Sequence, residues 1–284
     1  MNVSFPLETK EARILSRPFF EEIYNRYTVR ELVSPDPLQF LYNYTSQKDI
    51  EAVALIASSL AYGRVGQILK AVEYILNILG QSPAEYLQNV SAEELRHRLK
   101  GFIYRFNNEC DVGDFLLAIG NFLRQGTIEE LFVSGFNGDI VRSVNNFVLN
   151  FTSYIGYETS LLPLPSRGSA CKRLFLFLRW MVRHDNVDLG IWCKSVSASS
   201  LIVPVDTHAW SIASNLGLCK RRNVCLMAAK EITDSYRDIC EVDPVKYDFA
   251  VTRFGIRDEF DKADLIESLY NWLEEEKQNA KRTV

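Results

Sequence analysis

The sequence predicts an all-α fold of packed helices. Apolar residues recur at helical spacing in one segment after another, Gly, Asp and Asn punctuate those segments, and alternating strand-like stretches are few. A hydrophobic fraction of 47% against 24% charged residues is that of a globular chain, and 284 residues suffice for a substantial buried core.

Taken in order, "DIEAVALIASSLAYG" from Asp49 places Ile50, Val53, Ala54, Ala57, Leu60 and Ala61 at helical spacing, with Gly63 as the stop. "GQILKAVEYILNILG" does the same with Ile68, Leu69, Val72, Ile75, Leu76 and Leu79. "DVGDFLLAIGNFLRQG", "TIEELFVSG" and "DIVRSVNNFVLNFTSYI" continue the pattern, each bounded by residues that cap or end helices. The strongest internal break is "GYETSLLPLPSRGS", where two prolines and two glycines interrupt the periodicity. Beyond it come a helix in "ACKRLFLFLRWMVRH", a loop through "DNVDLGIWCKSVSASS", and an extended run in "SLIVPV". A helix then opens after Asp206, followed by another in "NVCLMAAKEITDSYRDI" and a last one from about Asp258 to Lys277. The expected architecture is a single helical unit over 1–284 with two lobes and a cleft between them. The lobe around 48–218 carries the turn-rich break, and the N- and C-terminal helices join the other.

Composition narrows the function classes. No run of 18 apolar residues occurs, which argues against a membrane partner, and "MNVSFPLETKEAR" lacks the basic-then-apolar pattern of a signal peptide. A cytoplasmic location is expected. The six cysteines form no C-x-x-C pair and miss the spacings of iron–sulfur sites, so they read as reduced thiols, with no metal and no cofactor. The formal net charge of −4 argues mildly against nucleic acid, yet it hides a basic middle. Between Leu164 and Arg222 stand nine basic residues against three acids.

Two residues carry the chemistry. Lys172 lies just inside a helix behind a Gly-bearing turn, where the positive end of the macrodipole favours the neutral amine that a Schiff-base nucleophile needs. Asp206 follows an apolar run and opens a later helix, where a carboxylate stabilises a developing cation or moves a proton. From spacing alone, a solvated helix lysine and an ordinary N-cap are the better accounts of the two.

The flanking residues add a resemblance. "LPLPSRGSACKR" followed by "VPVDTHAWSIASNLGL" resembles the helix-hairpin-helix DNA glycosylase superfamily. There a hairpin of form L-P-G-V-G-x-K-T-A precedes a catalytic lysine, and a later V-D-T-H segment carries a catalytic aspartate. Gly168 stands four residues before Lys172, where the first hairpin glycine falls. Val205, Asp206, Thr207, His208, Ile212, Leu216, Gly217 and Leu218 are in register with the second segment. A weaker likeness reaches back to "DIEAVALIASSLAYGRVGQI". The departures are Ala170 for the second glycine, Arg173 for the usual threonine, and Ser211 and Asn215 for two arginines. The separation of 34 residues between Lys172 and Asp206 is longer than usual and resembles the archaeal 8-oxoguanine glycosylase branch. The whole pattern looks most like an uncharacterised bacterial and archaeal family related to that branch.

The resemblance implies a base-excision enzyme acting on damaged double-stranded DNA. A nucleotide is flipped into the cleft, Lys172 attacks the anomeric carbon, and Asp206 stabilises the cationic sugar. An oxidised purine such as 8-oxoguanine is the implied base. Arg167, Gly168, Ser169 and Arg173 are the implied DNA-binding residues of the hairpin. Among residues able to face a flipped base, Trp192 and Asp188 sit in the polar insertion, and His208 lies beside Asp206 as packing or a supporting hydrogen bond. Core packing is the competing account of the tryptophans, and a capping or water-facing acid that of Asp188. Two other readings stay open: a DNA-binding module without catalysis, and an unrelated all-α scaffold for a ligand or protein.

Overall fold

A computed structural model describes residues 5–257 and 259–282. These residues are predominantly helical, and their only sheet is a two-stranded antiparallel hairpin pairing Ile103–Tyr104 with Asn107–Asn108. At the centre lies the helix Gln47–Ser59, in which every residue from Ile50 onward is buried. Its Ala52, Ala54, Ala57, Ser58 and Ser59 are small, which lets neighbours approach closely. It packs chiefly on the helix Lys172–Val182, the 3₁₀ segment Pro37–Asn43 and the helix Pro83–Asn89. Pro83–Asn89 in turn lies against Glu109–Gln125. At that crossing a Cβ on Gly120 would stand 2.1 Å from the carbonyl oxygen of Leu87, so only glycine allows the approach.

The helix boundaries follow from their capping chemistry. Asn108 and Asp111 form a capping box at the start of Glu109–Gln125, as do Thr127 and Glu130 at the start of Ile128–Ser134. Asp139 caps Ile140–Ile155, which ends at a left-handed Gly156. The turn-rich break occupies the stretch after it: residues 157–171 hold no α-helix, only the 3₁₀ turn Pro165–Arg167. The predicted last helix spans Lys262–Arg282; Asp258, its predicted start, lies outside the described residues.

Pro83–Asn89, Ala92–Arg98 and Asp248–Ile256 were not among the helices read from the sequence. Asp248–Ile256 buries Asp248, Phe249, Ala250, Val251, Arg253 and Phe254. A helix buried on nearly every side has no polar face, so it gives no 3.6-residue alternation to read. It packs on the helices Arg17–Tyr27 and Thr207–Leu216. The helix Lys10–Leu15 covers Leu226–Ile239. The buried apolar side chains form one continuous cluster running from Leu7 to Leu273. No helix among the described residues is long and apolar enough to cross a membrane.

Candidate active site

Lys172 is the first residue of the helix Lys172–Val182, and the residue before it sets its direction. Cys171 adopts a left-handed conformation (φ 47°), uncommon outside glycine. Local bonds hold it there: its amide donates to Ser169 Oγ at 3.2 Å and its thiol to the Pro163 carbonyl at 3.3 Å. Burial pushes that thiol up to about 11, which keeps it protonated and unreactive. The helix then presents Lys172, Leu176 and Arg179, at i, i+4 and i+7, to one cavity.

The extended run Leu201–Val205 delivers Asp206 to the same cavity as the N-cap of Thr207–Leu216. Its two carboxylate oxygens have separate tasks. Oδ1 accepts from the amides of His208 and Ala209, both at 2.9 Å, and Oδ2 lies 2.9 Å from Lys172 Nζ. Burial pushes this carboxyl up, but the Lys172 ammonium and the Ala209 amide outweigh it and hold Asp206 below the usual carboxylate range. The capping and pairing accounts of Asp206 therefore coexist in one side chain.

The cavity has a volume of about 520 Å³. Asp248, Thr252, Gly255 and Ile256 enter from one face of Asp248–Ile256, and Ile68, Leu176 and Pro204 supply apolar wall. Four helices begin at it: Val65–Leu79 through Arg64 and Val65, Lys172–Val182, Thr207–Leu216, and Asp248–Ile256 through Asp248. Helix N-termini carry partial positive charge, and with Lys172 and Arg64 they face the carboxylates of Asp36, Asp206 and Asp248 in the same wall. Gly63 also lines the cavity, in a left-handed conformation at φ 97°, and a Cβ there would collide with the Arg105 side chain. Arg105 belongs to the hairpin whose Ile103 and Phe106 are 76% and 81% exposed.

Behind the cavity lies a buried ion network. Arg179 pairs with Asp188 at 3.3 Å and with Asp248 at 2.6 Å, while Arg183 reaches Asp188 at 2.7 Å and Asp185 and Asp243 at 2.9 Å. Burial pulls both guanidiniums down, and the surrounding carboxylates push them up by more. For Asp188 burial is the larger influence and lifts its carboxyl to about 6 against the pull of the two arginines. Arg253, 1% exposed, lines the cavity and pairs with Asp36 at 3.2 Å.

Several predicted site residues stand elsewhere. Asp188 is 1% exposed and consumed by the arginines, so it is not available to a base edge. Trp192 is fully buried: it stacks on Phe132, meets Phe177 edge to face, and its indole N–H donates to Glu51 Oε1 at 2.9 Å. The polar insertion that made both residues look available folds back onto the core. Arg173 is equally engaged, donating to the carbonyls of Ser59 (2.8 Å) and Ser160 (2.5 Å) and lying 4.7 Å over the Tyr62 ring. It ties the stretch 157–171 to the central helix through Ser160 and Ser59 and is not free for phosphate. Arg167 is exposed and pairs with Glu158 at 2.8 Å. Gly168 is exposed and left-handed at φ 78°, and Ser169 turns its hydroxyl toward the Cys171 amide. His208 is exposed and lines the cavity.

Sequence reasoning missed Arg179, Asp248, Arg253 and Asp36. The signal for Arg179 was available: a lone arginine inside "LFLFLRWMV" is buried only if paired. For Asp248 and Arg253 no signal existed without the helix that carries them. Among the described residues, no cluster of three or more His, Cys, Asp or Glu is placed to hold a metal ion.

The family described as "Protein of unknown function (DUF2400)" matches residues 36–257, more than three quarters of the chain. The chain belongs to this family. The matched DUF2400 segment contains every residue that lines the cavity except Pro35. No curated protein and no solved structure matches the chain.

Proposed function

We propose that the chain is a DNA base-excision enzyme, a glycosylase and abasic-site lyase of helix-hairpin-helix type that works through a Schiff base on Lys172. The observation that carries this reading is the 2.9 Å contact between Lys172 Nζ and Asp206 Oδ2 at the wall of a cavity large enough for a nucleobase. The two residues are 34 apart in sequence, and their meeting in a cleft is what an activated amine requires.

The steps follow from that geometry. A flipped nucleotide enters the cavity, since its glycosidic bond is out of reach inside the duplex. The Lys172 ammonium passes a proton to the Asp206 carboxylate and becomes nucleophilic. A C–N bond forms from Nζ to the anomeric carbon as the bond to the base breaks. The base leaves with that electron pair and takes up a proton. Opening of the sugar ring gives a Schiff base, and loss of the adjacent proton expels the 3′ phosphate by β-elimination. The N-termini of Val65–Leu79 and Lys172–Val182 favour the flanking phosphates, and the exposed Ile103 and Phe106 lie on the hairpin whose Arg105 packs against Gly63 at the cavity. An oxidised purine such as 8-oxoguanine is the base proposed.

A second reading is favoured by the hairpin itself. Arg173 is spent on carbonyls and Arg167 on Glu158, and one 3₁₀ turn stands before the hairpin, so this face offers little cationic grip on a duplex. On that account the cavity takes a small ligand and the chain is a binding protein.

Borohydride trapping decides between them. Duplexes containing an abasic site or 8-oxoguanine are incubated with borohydride, with Lys172→Gln as control. A crosslinked band from the native protein, absent in the variant, is expected. No band on either duplex leaves the small-ligand reading.

A further inference from the structure

The loop 219–225, between the helices Thr207–Leu216 and Leu226–Ile239, carries three consecutive cations and no acid. Lys220, Arg221 and Arg222 are all exposed, and with Trp210 they line one open groove of about 470 Å³. What anchors the loop is its backbone. The amide of Lys220 donates to Glu231 Oε1 at 2.7 Å, and the carbonyl of Arg221 accepts from Trp210 Nε1 at 2.9 Å. The amide of Leu226, just past the loop, donates to the Gly168 carbonyl at 3.1 Å. The three cationic side chains are thereby spared. Lys220 and Arg221 form exposed ion pairs, with Glu8 at 3.3 Å and Glu231 at 3.2 Å, and pairs of that kind open at little cost. Arg222 has no ion pair or hydrogen bond among the described residues. The same backbone bonds fix where the cations stand. Gly168 lies four residues before Lys172, and Trp210 stands one turn beyond Asp206, its amide donating to the Asp206 carbonyl at 2.9 Å. The loop is tied to both segments that bring the reacting pair together.

We infer that Lys220, Arg221 and Arg222 grip the phosphate backbone of a DNA duplex and fill the cationic role that Arg167 and Arg173 leave open. The inference rests on the excision reading above and deepens it by placing the duplex across the loop and the turn at Gly168. Exposed lysines and arginines neutralise phosphates and release their counterions without reading sequence. That suits an enzyme that must meet a lesion in any sequence. The open groove suits an extended polyanion, and none of the three cations lines the cavity of Lys172 and Asp206. They therefore govern how tightly the duplex is held and leave the chemical steps alone.

The test uses the full chain and a duplex carrying a tetrahydrofuran analogue of an abasic site, which binds without reacting. Affinity is read by fluorescence anisotropy from about 50 to about 200 mM salt, where phosphate contacts set the slope of log K against log salt. Arg222→Ala is expected to reduce that slope by about 0.9, one phosphate contact, and to weaken binding about threefold to tenfold at about 100 mM salt. Alanine at all three positions is expected to reduce the slope by about 2 to 3. Alanine spares the backbone bonds that anchor the loop, and Arg222→Ala loses no contact of the folded chain, so it stays decisive if the triple variant is unstable. Borohydride trapping on an abasic duplex at saturating protein is expected to be unchanged. Slope and affinity that stay at native values in both variants, with native trapping intact, overturn the inference and leave the excision reading standing. Tripolyphosphate binding that the triple variant loses while it keeps the duplex makes the groove a site for a free polyphosphate, and overturns it too. A native protein that binds no duplex overturns both. Duplex binding without trapping sinks the excision reading alone, and the slopes still decide whether this loop holds DNA.

Discussion

One helix, Lys172–Val182, carries two very different charge arrangements two turns apart. At its first residue Lys172 meets Asp206 in a single contact, with side chains 30% and 26% exposed. At Arg179 the guanidinium meets Asp188 and Asp248, with side chains 3%, 0% and 4% exposed. The first pair is open to a cavity and held by one bond, so a substrate breaks it at little cost. The second is a closed set whose members were all desolvated in folding, and it cannot lose one without exposing the others' cost. Proximity of opposite charges thus means chemistry in one place and scaffold in the other, and solvent access separates the two.

The sharpest way to break that contrast is at the closed end. Asp188→Asn removes the carboxylate shared by Arg179 and Arg183 and leaves two buried guanidiniums short of charge. A loss of about 3–5 kcal/mol in unfolding free energy is expected, read by urea denaturation. A loss under about 1 kcal/mol would mean that the network is wetter than its burial implies.

A smaller effect is expected at Trp192, the residue whose sequence surroundings misled most. Trp192→Phe keeps the stacking on Phe132 and removes the donor to Glu51 Oε1. Glu51 is buried, and burial raises its carboxyl despite bonds from Gln47, the amide of Ile128 and Trp192. Losing one donor is expected to cost about 1–3 kcal/mol. Trapping on an abasic duplex should be unaffected. A change in trapping without a change in stability would return Trp192 to the site.

The two mistaken residues show where sequence reading reaches and where it stops. The helices that alternate apolar and polar faces, with Thr127, Asp139 and Asp206 at their starts, were legible because capping and periodicity are local, although the helix read from Asp111 begins earlier, behind Asn108. So were Lys172 and Asp206 as candidates, through the motifs around them. Their contact is a tertiary fact, and so is the fate of the insertion between them. "DNVDLGIWCKSVSASS" looks polar, yet its backbone folds back so that Gly190 and Trp192 donate to the carbonyls of Trp180 and Met181. Nothing local in the segment marks that docking. The cavity's far wall was hidden for the opposite reason: Asp248 and Arg253 sit in a helix buried along most of its length, with little polar alternation to betray its period.

At the open end the expected stability change is small while the chemical change is complete. Lys172→Gln removes one partially exposed ion pair, and unfolding free energy should stay within about 1 kcal/mol of the native value. Borohydride trapping should vanish. Loss of trapping together with several kcal/mol of stability would make Lys172 a member of the scaffold, and the contrast along this helix would fail.

The smallest effect separates the two tasks of Asp206. Asparagine caps a helix about as well as aspartate, so Asp206→Asn should keep the bonds to the amides of His208 and Ala209 and lose only the charge facing Lys172. Asp206→Ala loses both and should be less stable than Asp206→Asn by about 1 kcal/mol. The remaining gap between the native chain and Asp206→Asn depends on pH in a fixed direction. Because Asp206 titrates lower in the folded state than in the unfolded chain, its ionic contribution is present above the unfolded value of about 4. It is lost as the pH falls through the lower folded value, where the carboxyl protonates. Urea denaturation from pH 7 down to pH 3 should therefore show the two stabilities converging in acid. A gap that stays constant over that range would mean that the Lys172 ammonium does not stabilise the carboxylate, and that Asp206 serves the helix alone.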